Sequence, residues 1–393
     1  MVFCVKHLLT LYPIVGRIHV YMFDKETISR RDFLKGAAVT ALTAGVLAHE
    51  SFGTTRALAE SSPSPEVIPQ SPIEFGFNTH VHSVLDSEQD NMTLDLFKRS
   101  VDLLANQNQD WIRFNIRTWE VAQAGGEANS VEFNENIGVY DEAIAYAKEK
   151  GLKVFFVTNV PDFAKEYSHE DYKQVAKDFY TKLAQRYSEQ VDIWQIFNEA
   201  DTHAFRDYSG IGYPLDPKYL QELAEVMQVS ADAIKAVDKD AKTTANLSHW
   251  VRSGVDIIEK GTTFFDAIND SIDIVSLDLY TDDSLDEINR LPSIIEYFSK
   301  RYNKHVFIAE LGLPTAGFPE EIQGAAITAA IEALKSGNVR PEGVIIYELS
   351  DEATAYNAAE RSFGVFNIDG SPKDSADDVF VAMQPEEEAE EVE

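Results

Sequence analysis

Two glutamates in this sequence each follow a short apolar run. Glu199 comes shortly after the run 193–197, Glu310 comes after the run 306–308, and the two glutamates are 111 residues apart. Runs of this length that are rich in Ile, Phe and Val are typical of β-strands. Two carboxylic acids that face one cleft can cleave a glycosidic bond, one as the acid and the other as the nucleophile. A lone glutamate at a strand end is more often an ordinary surface carboxylate, so this chemistry requires a fold that brings the two together.

The elements that would position them form one repeated pattern, in which a short apolar run is followed by a longer amphipathic stretch. The short runs predict eight strands, at 73–78, 110–116, 152–158, 191–198, 241–247, 272–279, 304–310 and 342–348. The longer stretches predict eight helices, near 93–106, 137–149, 169–188, 217–237, 251–268, 284–302, 320–336 and 374–383.

The strand runs are apolar almost throughout, as expected of parallel strands that are covered on both faces. Eight strand–helix units predict an α/β fold, a (β/α)8 TIM barrel that forms a single catalytic domain. An open doubly wound sheet is the alternative, but no glycine-rich phosphate loop follows a strand. Side chains at the carboxyl ends of barrel strands build one common site. Because Glu199 would end the fourth strand and Glu310 the seventh, we expect them to share a cleft.

The sequence around these glutamates carries a family resemblance. Asn198-Glu199 and Glu310-Leu311-Gly312 resemble the signature of glycoside hydrolase clan A, near families five and thirty-nine. Further similar segments are 110–115, which Trp119 follows, and 233–242, 347–352, 363–367 and 371–373. The resemblance implies a retaining O-glycosyl hydrolase that cleaves β-linked sugars by double displacement and needs no cofactor. It also implies that Glu199 is the general acid/base and Glu310 the nucleophile.

Eight further residues are candidates to bind a sugar substrate: Asn198, Arg113, Tyr280, His80, Trp119, Trp250, Asn159 and Tyr347. Arg113 would hold Glu310 ionised through charge-assisted hydrogen bonds, and Asn198 would reach the sugar 2-hydroxyl. Trp119 and Trp250 follow strands on the active face and are expected to stack on sugar rings. For any one loop aromatic, ordinary packing is about as frequent as sugar stacking.

Three positions depart from the pattern of the clan. Asp278 stands where many members have a histidine, two positions before Tyr280. Asn159 follows the third strand in place of a histidine, and Tyr347 stands where a tryptophan is common. Both glutamates are unaffected, but the sugar, the linkage and the choice between internal and terminal cleavage stay open.

A histidine pair, His80 and His82, supports a rival hypothesis. Its H-x-H spacing is found at the divalent metal of amidohydrolase-like barrels, where Glu199 and His249 could add ligands. The predicted sixth strand, however, has no histidine, and we therefore expect no metal site. A barrel that binds glycans without hydrolysing them is a second alternative, since two glutamates in a sequence do not prove turnover.

The N-terminal 59 residues are expected to be a signal peptide of the twin-arginine type. Arg30-Arg31 precedes the apolar stretch 36–48, and Ala57-Leu58-Ala59 supplies a small-x-small cleavage pattern. Met22 lies at a more typical distance from the arginines than Met1, so residues 1–21 can be an over-extended start. Export to the periplasm or the extracellular space follows from this interpretation, and an uncleaved anchor helix is the alternative.

The remaining chain divides into a linker at 60–71, the barrel domain at 72–384 and an acidic, disordered tail at 385–393. The net charge of the full chain is −32, and cleavage after Ala59 would change it to −35. So acidic a protein repels nucleic acid and anionic membranes, which argues against both as partners. The carbohydrate that we expect as the partner is what the family resemblance implies. The single cysteine, Cys4, excludes a disulfide framework. The sequence does not indicate an oligomeric state.

Overall fold

A computed structural model describes residues 71–84, 92–203, 205, 214–250, 256–280, 285–355 and 357–385. Residues 60–70 of the predicted linker, the signal segment and most of the acidic tail lie outside this part. Within it, the strands are β1 (Glu74–Asn78), β2 (Trp111–Asn115), β3 (Ala122–Ala124), β4 (Val131–Phe133), β5 (Lys153–Thr158), β6 (Ile193–Ile196), β7 (Lys242–Thr244), β8 (Asn246–Trp250), β9 (Ile274–Tyr280), β10 (His305–Gly312) and β11 (Gly343–Ile346).

The helices of the same part are α1 (Leu94–Asn106), α2 (Thr118–Val121), α3 (Ile137–Glu149), α4 (His169–Tyr187), α5 (Pro217–Val237), α6 (Ile257–Ile268), α7 (Leu285–Ile288), α8 (Leu291–Tyr302), α9 (Glu320–Lys335) and α10 (Ala376–Ala382). Helix α4 shows why the sequence forms them. The Ser168 hydroxyl accepts a hydrogen bond from the Asp171 amide at its first turn, while Tyr172, Phe179 and Leu183 are buried on one face. None of the described helices is long and apolar enough to cross a membrane.

The parallel sheet closes into a barrel. Its strand order is β7-β6-β5-β2-β1-β11-β10-β9-β8, and β7 and β8 are separated only by Ala245. These two short strands therefore act as one strand, whose first half pairs with β6 and whose second half pairs with β9. With β7 and β8 counted as one, the barrel has eight parallel strands, and the predicted (β/α)8 TIM barrel is confirmed.

The structure differs from the predicted elements in two places. The predicted helix 284–302 is two helices, α7 and α8, and Pro292 lies in the first turn of α8. Proline is tolerated in a first turn but disrupts a helix interior, which explains the break. The short helix α2 and the antiparallel hairpin of β3 and β4 were not predicted, because three- or four-residue elements leave almost no periodic pattern.

Apolar side chains form two separate clusters. The larger cluster lies between the sheet and the helices, while a smaller one fills the barrel interior with Trp111, Phe155, Ile193, Ile274, Phe307, Ala309 and Ile345. The rings of Trp111, Phe155 and Phe307 meet at centroid distances of 5.2–6.4 Å. This floor of aromatic rings supports the polar side chains above it, towards the carboxyl ends of the strands.

Gly76 in β1 offers a test of this packing. A Cβ at this position would collide with the backbone carbonyl of Trp111, whereas a Cβ at Gly138, in the first turn of α3, would contact nothing within 4 Å. We expect Gly76→Ala to lower the free energy of unfolding by about 1–3 kcal/mol. Gly138→Ala should leave it unchanged or raise it by up to about 1 kcal/mol. Urea denaturation of both variants checks this, and equal stabilities would contradict the packing described.

Candidate active site

A cavity of about 680 Å³ opens at the carboxyl ends of the barrel strands. Nine of the ten predicted site residues line it: Glu199, Glu310, Asn198, Arg113, Tyr280, His80, Trp119, Asn159 and Tyr347. The tenth, Trp250, is the last residue of β8, and its side chain lies outside the described part of the structure. The barrel therefore brings together residues that are up to 267 positions apart in the sequence.

Glu310 is held by two partners at the end of β10. It is 3% exposed, and the Nη1 group of Arg113 lies 2.8 Å from its Oε1 atom. The hydroxyl of Tyr280 donates a hydrogen bond to its other oxygen, Oε2. A buried carboxylate requires such pairing, since its desolvation is otherwise very unfavourable.

Arg113 is itself fixed by neutral side chains from β1, from β6 and from the turn after β6. Its Nη1 group donates to Asn78 Oδ1 at 2.8 Å, and its Nη2 group donates to Gln195 Oε1 at 2.9 Å and Asn198 Oδ1 at 3.2 Å. The guanidinium is 2% exposed, so these contacts replace its hydration. Because the guanidinium group is planar and rigid, its position defines that of the Glu310 carboxylate.

Glu199 lies in a strained turn just after β6. Phe197 and Glu199 both have left-handed backbone angles, with φ of 66° and 47°, which residues other than glycine rarely adopt. Two asparagines hold the turn. Asn159 Oδ1 accepts a hydrogen bond from the backbone N–H of Asn198 at 3.2 Å, and Asn246 Oδ1 accepts one from the backbone N–H of Glu199 at 2.7 Å. The strain is thus compensated by hydrogen bonds that the turn donates to Asn246 on β8 and to Asn159, which directly follows β5.

The environments of the two glutamates differ. Burial and the negative charge of Glu310 raise the pKa of Glu199 to about 7, against an ordinary value of 4.5, although a hydrogen bond from Ser248 opposes the shift. Glu310 in contrast has a guanidinium at 2.8 Å. One carboxyl group therefore keeps a proton near neutral pH while its neighbour is paired with a fixed cation.

His80 is engaged in an ion pair. Its Nε2 atom lies 2.8 Å from Glu348 Oε2, and its Nδ1 atom lies 3.2 Å from Asn115 Oδ1. Although burial opposes the charged form, the Glu348 carboxylate raises the pKa of His80 to about 9. An imidazolium is a poor metal ligand, and His82 does not line the cavity.

One group in the described part of the chain has metal-ligand spacing, and it lies outside the cavity. It comprises His169, Glu170 and Glu225, on α4 and α5. The ammonium of Lys173 lies 2.8 Å from Glu170 and 3.0 Å from Glu225, so an internal cation already serves both carboxylates. The geometry gives no support to the H-x-H hypothesis.

Two aromatic side chains shape the cavity mouth. Trp119 is 57% exposed, and the guanidinium of Arg117 lies 5.5 Å from its ring. Tyr347 packs beside Tyr280, and its hydroxyl lies 3.4 Å from a carboxylate oxygen of Glu360. An exposed indole at the rim of a polar cavity is suited to cover the apolar face of a sugar ring.

The sequence analysis missed several polar residues of the site: Asn78, Gln195, Asn246, Glu348 and Glu360. Gln195 and Asn246 point into the barrel from strands, and a period of two counted along β6 and β8 would have indicated their direction. Glu360 lies in a short helical turn of the closing loop, and no sequence pattern indicates its position.

The chain is similar in structure to several proteins of this fold. A variant of GH5_18 from Streptomyces cattleya in complex with Manβ1-4GlcNAc is 16% identical, with a TM-score of 0.60, and the match covers 79% of each chain. Fpglu1 from Fervidobacterium pennivoraus is 15% identical, with a TM-score of 0.61 over 79% of this chain and 94% of that one. The β-glucosidase of Thermotoga maritima in complex with azafagomine is 14% identical, with a TM-score of 0.58 over 80% and 97%.

At these identities the likeness establishes the fold, which is the barrel that the clan A resemblance implies. No curated protein matches this sequence. Residues 27–46 match the family described as the TAT (twin-arginine translocation) pathway signal sequence. The predicted export signal is therefore confirmed, and the protein is exported to the periplasm or the extracellular space. The cleavage after Ala59 stays a prediction.

The raised pKa of Glu199 predicts a pH-dependent effect on stability. When the pKa of a group is higher in the folded state than in the unfolded state, the free energy of unfolding falls as pH rises between the two pKa values. For Glu199 this range runs from about 4.5 to 7. Glu199→Gln removes the ionisable group, so the free energy of unfolding of the variant should exceed that of wild type by about 3 kcal/mol at pH 8 and differ little from it at pH 4.

Urea denaturation at both pH values measures this difference. Glu332→Gln, on the outer surface of α9, is the matched control and should show no pH-dependent difference. If Glu199→Gln and Glu332→Gln behaved alike, Glu199 would not carry the buried proton that its surroundings imply.

Proposed function

We propose that the protein is a retaining glycoside hydrolase that cleaves β-linked sugars in an oligo- or polysaccharide. The observation that carries this proposal is the contrast between two glutamates that line one cavity. Glu199 is positioned to hold a proton near neutral pH, and Glu310 is paired with Arg113. A double displacement requires this pair, one group as an acid and one as a nucleophile.

In the first step, a carboxylate oxygen of Glu310 forms a bond to the anomeric carbon. The bond from that carbon to the leaving oxygen breaks, and Glu199 transfers its proton to this oxygen. The products are an ester between the sugar and Glu310 and a free aglycone. Arg113 and Tyr280 contact the carboxyl group throughout, and this contact fixes the attacking oxygen.

In the second step, Glu199 is ionised and takes a proton from water. The water oxygen attacks the anomeric carbon from the side that the aglycone left, and the bond to Glu310 breaks. The sugar is released with its original configuration, and both glutamates return to their starting states. No cofactor takes part in this scheme.

Other cavity residues fit the binding of a sugar. Asn198 contacts Arg113, Gln195 and Asn246 through its Oδ1 atom, which leaves its amide nitrogen to donate to the 2-hydroxyl. Trp119 would cover the apolar face of a ring at the rim. The complexes of GH5_18 with Manβ1-4GlcNAc and of the Thermotoga β-glucosidase with azafagomine support a carbohydrate as the ligand of such a cavity.

Replacement of each glutamate by a small residue should give different products in the presence of azide. Glu199→Ala should lose about 10²–10⁴-fold in rate on substrates with poor leaving groups, and azide should attack the glycosyl-enzyme to give a β-glycosyl azide. Glu310→Gly lacks the nucleophile, so azide should attack directly and give an α-glycosyl azide. Nuclear magnetic resonance of the products of a panel of activated aryl β-glycosides distinguishes the two configurations.

Glu332→Gln is again the control and should retain wild-type rates. Folded Glu310→Gly that still hydrolyses the substrate without azide would contradict the proposal. A wild-type protein that binds glycans but releases no product from any substrate would indicate a binding protein instead.

The rate should also depend on pH in a defined direction. Since Glu199 must be protonated in the first step, kcat/KM for a phenyl glycoside should fall as pH rises above about 7. A dinitrophenyl glycoside needs little proton donation, so its kcat/KM should not show this alkaline decline. An identical decline for both substrates would mean that the group with a pKa near 7 is not the acid.

A further inference from the structure

Asp278 is a carboxyl group for which the proposed reaction has no direct use. It lies on β9, fully buried, and its neighbours across the sheet are Glu310 on β10 and Ser248 on β8. It stands where the resembling enzymes often have a histidine. A buried acid at this point is unfavourable unless it makes a specific contact.

In the described part of the chain, that contact is with one side chain. Asp278 Oδ2 accepts a hydrogen bond from the Nδ2 group of Asn246, and Oδ1 has no hydrogen-bond partner. Asn246 Nδ2 also donates to Asn198 Oδ1 at 3.1 Å. The amide of Asn246 is thus oriented with its nitrogen towards Asp278 and its oxygen towards the Glu199 backbone.

The direction of this amide matters because the turn that it holds is strained. Asn246 Oδ1 accepts from the backbone amide of Glu199 at 2.7 Å, and both Phe197 and Glu199 have positive φ angles. If the amide were flipped, its nitrogen would face the Glu199 N–H and two donors would oppose each other. The acceptor oxygen of Asp278, together with Asn198 Oδ1, favours the productive orientation.

We propose that Asp278 is a positioning residue for the acid/base, because it orients Asn246 and thereby holds the strained turn of Glu199. The expected effect on kcat/KM rests on the proposed function, whereas the expected effect on the turn of Glu199 does not. Burial and the charge of Glu310 raise the pKa of Asp278 well above its ordinary value, which favours the neutral form. A neutral carboxyl group keeps a carbonyl oxygen that can accept from Asn246, and asparagine resembles it closely.

The test compares Asp278→Ala, which removes the acceptor, with Asp278→Asn, which keeps one. Asp278→Ala should lower kcat/KM for a phenyl glycoside about 10²-fold, since a misplaced acid donates poorly. Its kcat/KM for a dinitrophenyl glycoside should stay close to wild type, and Asp278→Asn should stay close to wild type on both. An equal loss on the two substrates, or an equal loss in both variants, would overturn the inference.

Asp273, which directly precedes β9 at the opposite end of the barrel, provides a matched control. It accepts hydrogen bonds from the Thr243 amide and from Lys235, both at 2.8 Å. Asp273→Ala should lower the free energy of unfolding. Any change in its kcat/KM should be the same for the phenyl and the dinitrophenyl glycoside. If Asp278→Ala does not fold, Asn246→Ala breaks the same link from the other side, and it must show the same leaving-group dependence for the inference to stand.

Hydrogen exchange gives a readout that does not need catalysis. In Asp278→Ala, the peptide that contains Glu199 should exchange its amide hydrogens faster than in wild type or in Asp278→Asn. Unchanged exchange would overturn the inference even if the enzyme is active. If wild type hydrolyses no glycoside, the proposed function fails, while faster exchange in Asp278→Ala would still support the positioning role.

Discussion

The burial of several carboxyl groups around one arginine is the constraint on which the site depends. A carboxylate in a barrel interior must be paired, hydrogen-bonded or protonated. Glu310 has Arg113 and Tyr280, whereas Glu199 has neither and keeps its proton up to a pH of about 7. The chemical difference between two identical side chains therefore follows from where one guanidinium is fixed.

The barrel fixes that guanidinium through its layered interior. A floor of rings, among them Trp111 and Phe307, fills the lower half. Above it, Arg113 donates hydrogen bonds to Asn78 Oδ1 and Gln195 Oε1, which lie on different strands. Residues that point inward from neighbouring strands are held by the sheet itself, so the polar layer needs no loop to define it. The short helix α2 adds Trp119 at the rim of the cavity, and the loop after β11 adds Glu360.

The sequence predicted the barrel, the export signal and the placement of nine site residues on one cavity, because regular apolar runs set the strands and the closed sheet sets their ends. It did not predict the partners of those residues. His80 was weighed as a metal ligand, but it pairs with Glu348, a residue 268 positions away. Nor does a sequence pattern indicate the positive φ of Phe197, since that angle depends on hydrogen bonds from other strands. Local sequence propensity determines the strands and helices. The contacts between side chains at the ends of different strands depend on the tertiary structure.

The identity of the nucleophile can be measured directly by trapping it. A 2-deoxy-2-fluoro β-glycoside with an activated leaving group slows both steps, the second more than the first, so the sugar ester accumulates on the enzyme. Mass spectrometry of the intact protein and of its peptides should then find one added sugar, on the peptide that contains Glu310. An adduct on another residue, or continued turnover with no adduct, would contradict the account.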